Sequence, residues 1–385
     1  MLGAMLLCWS LPGLTADAEE TALTLSAPAE TQVLDVSRLV GLNDLVEHLS
    51  AQEVIFIGET HDNYADHLNQ LAIIKRLHAR GRPLLIGLEC FQQPFQSVLD
   101  AYVAGTISEQ EMLRQTEYFE RWRFDYRLYR PILRFARAQG LPLIALNVPS
   151  ELTRKVGDQG LAGLSAEERA SLPATLDDAD PDPAYRARIQ AVFEQHPRGP
   201  NSDFEHFLAV QRVWDHGMAQ RAVEALAAHP RSQLVVLAGN GHIEYGQGIP
   251  QPVEQRTKRQ SVTILNGSSQ AFAPDRADYL LFPPPTTLPP AGLLGVMLDT
   301  ESDSEPKDPL SGVRIQDFAT ESGARDAGLK RDDRLVRIGQ WPIADYTDVR
   351  IAMLDATPGE RLPVQVLRPG LIGAPQRLNF EVELH

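Results

Sequence analysis

The stretch VIFIGETHDN, Val54 to Asn63, has a distant echo in LVVLAGNGH, Leu234 to His242. Each opens with a short apolar, β-branched run that reads as a buried strand. Each then breaks at a glycine and presents a histidine three residues later: Gly58-Glu-Thr-His61 and Gly239-Asn-Gly-His242. Ligands of open α/β sheets bind beyond the carboxyl ends of the strands. Two strands ending in G-x-x-H therefore aim two imidazoles at one pocket, although they lie 181 residues apart in the chain. A third run, PLLIGLE, Pro83 to Glu89, brings a carboxylate to the same edge. His61 and His242 with Glu59 and Glu89 are the ligand types that a divalent metal or an acid/base site requires. A single G-x-x-H is common where a strand ends in a polar loop. The pairing, with Glu89 at a third strand end, is what points to a site.

Strand-like runs recur at 54–57, 84–88, 142–146, 234–238 and 261–265. Segments of helical period separate them. Residues 66–80 set Leu68, Leu71, Ile74 and Leu77 on one face, and 203–228 carries Phe207, Val210, Val213, Trp214 and Met218. The alternation predicts an α/β domain, a largely parallel sheet covered by helices on both faces. Residues 105–135 read as a helical insertion with Tyr118, Phe119, Trp122, Phe124, Tyr126 and Tyr129. Such a set either walls a flat apolar ligand or packs helices together. The turn-rich stretch 173–201 reads as an excursion over the pocket.

The pattern changes after 283–290, PPPTTLPP, a stiff polyproline-type linker that should hold two domains apart. Beyond it come short strands and glycine turns: LLGVML at 293–298, GVRI at 312–315, SGARDAGL at 322–329 and DRLVRIG at 333–339. This order resembles a PDZ domain, with Leu294, Gly295, Val296 and Met297 matching that family's carboxylate-binding loop. Backbone N–H groups of such a loop hold a peptide C-terminus while the peptide extends the sheet edge. The 348–354 helix is the expected opposite wall, with Leu354 contributing to the groove.

The formal charge is −15, from 36 basic and 51 acidic residues. A surface this acidic excludes a nucleic-acid partner that needs a basic patch. Arg121, Arg123, Arg127, Arg130 and Arg134 make a local basic cluster, which is also the spelling of a solvated helix face. Residues 1–18 carry an apolar run ending in Ala16-Asp-Ala18 and read as a signal peptide, too short to remain as a membrane span. This predicts export, to the periplasm or to a membrane facing it. Cys8 is a poor lipidation match, because leucine stands where a small residue is wanted, so membrane association stays open. The other cysteine, Cys90, reads as a buried inert thiol.

GETHDN, LLIGLE, the stretch 122–149, QRVWDHGMA at 211–219 and AGNGH together resemble the ChaN family of bacterial iron-regulated, haem-binding lipoproteins. That family is related to the Tiki metalloproteases and the erythromycin esterases. The resemblance runs from about 33 to 265, which sets the first domain at 33–270, the linker at 271–290 and the PDZ domain at 291–385. It implies haem as cofactor, with tyrosine as iron ligand, and Tyr64 stands beside the first motif. Arg127 and Arg130 are the candidates for the haem propionates. The Tiki side implies Glu59, His61, Glu89 and His242 as a metal or catalytic centre. The chain has no G-x-S-x-G elbow, no H-E-x-x-H helix and no phosphate loop, so any chemistry must run through these four. Three functions stand at this point: haem or iron handling with a PDZ-docked partner, metal-dependent hydrolysis, and a scaffold without chemistry.

Overall fold

The computed structural model describes residues 35–176, 182–195, 203–268, 273–299, 312–370 and 374–385. The signal-like segment 1–18 and, within the turn-rich excursion, 177–181 and 196–201 lie outside the described residues, while Pro183–Gln195 of the excursion is a helix. Residues 40–385 form one compact unit. No described helix is long and apolar enough to cross a membrane.

Six strands make the first sheet: β1 Val54–Glu59, β2 Leu84–Gln92, β3 Leu143–Asn147, β4 Gln233–Gly239, β5 Ser261–Asn266 and β6 Tyr279–Leu281. Their order is β3-β2-β4-β1-β5-β6, all parallel. Successive side chains of a strand point to opposite faces, and each face has its own core. Ile55, Ile57, Ile86, Leu88, Val235 and Leu237 pack under the helices Tyr64–His78 and Tyr126–Gln139. Val54, Phe56, Leu85, Leu234, Val236 and Ala238 pack under Phe204–Ala228 and Pro250–Thr257. Burial on both faces is why these strands read as unbroken apolar runs. The sheet extends past residue 270, because β6 pairs with β5 from Tyr279 to Leu281 within the stretch read as linker.

The insertion is mostly core. Tyr118, Phe119, Tyr126 and Tyr129 are buried, while Trp122 and Phe124 are half-buried. Asp125 caps the Tyr126–Gln139 helix by accepting from the Arg127 amide, and Gly140 ends it at φ 65°.

The C-terminal sheet is antiparallel: β7 Val296–Leu298, β8 Val313–Phe318, β9 Arg334–Ile338, β10 Trp341–Pro342, β11 Arg361–Arg368 and β12 Gln376–Glu383. It runs β12-β11-β9-β8-β7, with β10 beside β9. Leu294 is buried in its core, Val296 is half-buried, and Met297 is 52% exposed. Gly295 sits at φ 71°, a left-handed conformation, with no room for a Cβ beside Glu321, Ser322 and His385. Among the described strands β7 pairs on one side only, which leaves an edge for an added strand.

The two domains are not held apart. Leu288 of the linker packs on the first domain's core, and the Pro289 carbonyl accepts from Arg127 Nη1 at 2.9 Å. Ile351 and Leu354, at the end of the helix Tyr346–Ala352, are buried in that same core cluster. Leu354 is 7% exposed there and serves the domain contact, where the sequence suggested a groove residue. Apolar side chains on this helix gain more by burial against the neighbouring domain than linker stiffness can oppose.

Candidate functional site

β1 and β4 are neighbours, with Glu59 opposite Gly239, and β2 flanks β4 with Leu88 opposite Leu237. The strand order β2-β4-β1 therefore brings all three motif endings to one edge. His61, Glu89 and His242 line a cavity of about 280 Å³, together with Trp122, Asn147 and Trp214 among others.

Glu59 takes a different place. Strand alternation puts it on the Ile55/Ile57 face, beneath the helices there, and it is not among the residues lining the cavity. Its Oε1 faces His61 Nδ1 at 3.0 Å and accepts from the Tyr129 hydroxyl at 2.6 Å. Its Oε2 accepts from Gln70 at 2.9 Å, with His67 Nδ1 3.3 Å away. Burial alone would raise this carboxyl, but the His67 and His61 rings and the Tyr129 hydroxyl hold it below the ordinary range. Glu59 thus fixes His61 from behind. With Nδ1–H given to the carboxylate, His61 presents Nε2. Burial opposes charging the His61 ring, yet Glu59 and Glu89 leave it easier to protonate than usual.

Glu89 falls on the other face, following Leu85 and Gly87, and meets a second relay. Its Oε2 accepts from the Gly239 amide at 2.7 Å, and its Oε1 lies 3.3 Å from His242 Nε2. His242 Nδ1 lies 2.6 Å from Asp215 Oδ1, and Asp215 Oδ2 accepts from the Tyr185 hydroxyl at 2.6 Å. Burial disfavours both charges, but each supports the other. Glu89 is held well below the carboxylate range by His242, and His242 is pushed far up by Glu89 and Asp215. Gly239 lets the two relays close up, since a Cβ there would stand 2.9 Å from His61 Cε1.

Two buried polar atoms at the cavity, Trp122 Nε1 and Asn147 Oδ1, lack partners among the described residues. An unsatisfied buried donor or acceptor is costly, so such atoms mark where a ligand or water completes the set. Both nitrogens of His242 face carboxylates and Glu59 stands behind its histidine. Accordingly, no group of three or more His, Cys, Asp or Glu among the described residues is arranged to hold a metal. Cys90 lines the cavity as a buried thiol, its pKa pushed well up by burial and the two glutamates.

Of the residues considered for haem, only some line this cavity. His61, its side chain 28% exposed, has Trp122 and Phe124 each at 4.8 Å between ring centroids. Tyr64 begins the Tyr64–His78 helix, half-buried against the core and outside the cavity lining. Arg127 is bound to Asp125, and Arg130 is buried between Glu109 and Asp355. Arg121 pairs with Glu117 and Glu151, and Arg134 with Glu109. These four guanidiniums already serve carboxylates, so neither Arg127 nor Arg130 is placed to meet a propionate. Arg123, next to Trp122, is exposed.

Residues 45–253 match the family model described as "Haem-binding uptake, Tiki superfamily, ChaN". The chain belongs to this family. Residues 292–384 match the PDZ domain. Among curated proteins, Protein RETICULATA-RELATED 5, chloroplastic, of Arabidopsis thaliana is 27% identical over 238 residues, 57% of this chain and 31% of that protein. The chain thus spans about a third of that relative's length. Among solved structures, ChaN of Campylobacter jejuni, described with cofacial haem binding, gives a TM-score of 0.49 at 16% identity, covering 62% of this chain and 90% of that one. A mutant of the erythromycin esterase EreC in its open conformation gives 0.37 at 16% identity, over 58% and 72%.

The paired G-x-x-H motifs and Glu89 were legible in sequence. Asp215, Tyr185, His67, Gln70 and Asn147 were not. Only Asp215 carried a signal, as the acid inside the apolar helix motif QRVWDHGMA.

Proposed function

We propose that this chain is an exported haem-binding protein of the ChaN kind, acting in haem or iron uptake, whose PDZ domain docks a partner's C-terminus. The observation that carries the haem reading is the cavity mouth: a partly exposed His61, braced by Glu59 and flanked by Trp122 and Phe124. Imidazole and phenolate are both protein ligands to haem iron, so His61 or Tyr64 would hold the metal centre. Trp122 and Phe124 would wall the ring, and Arg123 would meet a propionate. The cavity of about 280 Å³, partly open to solvent, falls just under the ~300–1,000 Å³ of ordinary ligand pockets. The residues would therefore take haem at the rim, not wholly inside the cavity. When bound, haem supplies the iron the protein carries, and the chain's part is to grip and shield it. Titration of the full chain with haem should give a Soret shift at micromolar ligand that His61→Ala or Trp122→Ala weakens. An unshifted spectrum would reject the reading.

A second reading rests on a different observation, the two imidazole–carboxylate relays around a cavity with unpartnered polar atoms. Here Glu59 and His61 form a general base, His61 Nε2 drawing a proton from water. His242, with both ring nitrogens facing Glu89 and Asp215, adds positive charge to the cavity wall without donating to the carbonyl oxygen. Hydrolysis of p-nitrophenyl acetate that survives chelator and is lost in His61→Asn would support this reading. Loss with chelator would return the centre to a metal.

A further inference from the structure

The cavity wall carries polar groups beyond the two relays, and most of them are satisfied within the chain. Thr116 Oγ1 donates to the Met112 carbonyl at 2.8 Å, and Thr153 Oγ1 to that of Ser150 at 3.1 Å. The Arg121 guanidinium serves Glu117 and Glu151. Gln92 Oε1 accepts from Arg121 Nη1 at 2.8 Å and from the Ser150 amide at 3.2 Å.

Asn147 breaks this pattern. It ends β3, opposite Gln92 of β2, and is only 8% exposed. Its Oδ1 is buried without a partner, and its Nδ2 donates to nothing among the described residues. A buried carboxamide ordinarily fills its hydrogen-bonding capacity, because leaving it unmade is costly. Its complement in the cavity is a group that offers an acceptor and a donor side by side. Trp122 Nε1, the other unpartnered atom, is a donor and matches one further acceptor. The indoles of Trp122 and Trp214 border the same space and suit a flat ring. Glu89 and His242 offset each other on the wall, which favours a neutral occupant. A volume of about 280 Å³ takes one small ring.

We propose that this cavity binds a small, flat, neutral cyclic amide or imide, whose adjacent carbonyl and N–H pair with Asn147 Nδ2 and Oδ1, and whose second acceptor meets the Trp122 N–H. The assignment rests neither on haem at the rim nor on hydrolysis. Water fills the same positions until the ring displaces it.

The test titrates the full chain with succinimide and with N-methylsuccinimide, the same ring with its N–H capped, by ligand-observed NMR. Succinimide should bind, and the capped ring at least about tenfold more weakly. Asn147→Ala should weaken succinimide by a similar factor. Its Tm should stay within about 2 °C of the natural chain, because no hydrogen bond within the protein is lost. A larger fall in Tm would make Asn147 a structural residue and overturn the proposal. Equal binding of the two rings, undiminished binding by the variant, or no binding of either ring would overturn it too.

Discussion

Asp215 shows how a single buried acid sets the character of the site. It reaches His242 from a helix 27 residues upstream, and with Glu89 on the other nitrogen it keeps the ring charged at neutrality. Replacing it with asparagine should lower the His242 titration midpoint toward the ordinary value of about 6.5, observable by NMR. An unmoved midpoint would show that Glu89 alone does the work. The Glu89–His242 pair also fixes a pH window. The depressed Glu89 pKa contributes stability present above the ordinary glutamate value and lost as pH falls through the folded one. The raised His242 pKa contributes stability present below the ordinary histidine value and lost as pH climbs through the folded one. The stability gap between the natural chain and Glu89→Gln should therefore be widest near pH 4.3–6.5, roughly the span between the two ordinary values. It should narrow at both extremes in urea titrations. A gap that is flat with pH would mean the pair is not ionised in the folded protein.

At the scale of elements, β1 is the keel, paired with β4 on one side and β5 on the other. Phe56, wholly buried in its middle, should cost about 3–5 kcal/mol of stability when cut to alanine. A loss under about 1 kcal/mol would mean that this face repacks. The first five strands were legible because burial on both faces writes itself as an unbroken apolar run. β6 was not, since three half-buried residues at a sheet edge leave no such run. The convergence of His61, Glu89 and His242 was legible from their positions at strand ends. The separation of Glu59 from Glu89 was not. Both follow apolar strands, and only the register of pleat and neighbour sends one behind His61 and the other to His242. Relay partners such as Tyr129 and Asp215 come from distant helices, and no local spacing announces them.

Over the whole molecule, the contact between the ChaN and PDZ domains should couple their unfolding. Ile351 and Leu354 bury apolar surface across it, and Arg130 joins Glu109 of one domain to Asp355 of the other. Calorimetry should show one transition for the natural chain and two for Ile351→Asp/Leu354→Asp. A single transition in the variant would mean the contact adds little to either domain. Cys90 gives this assembly a clock. It stands in the cavity wall on β2, next to Glu89, a buried thiol with its protonated form strongly favoured. Maleimide can reach its sulfur only during the moments when the sheet edge gapes. The labelling rate of this one atom therefore counts those moments, and reports breathing at the cavity that no equilibrium spectrum records.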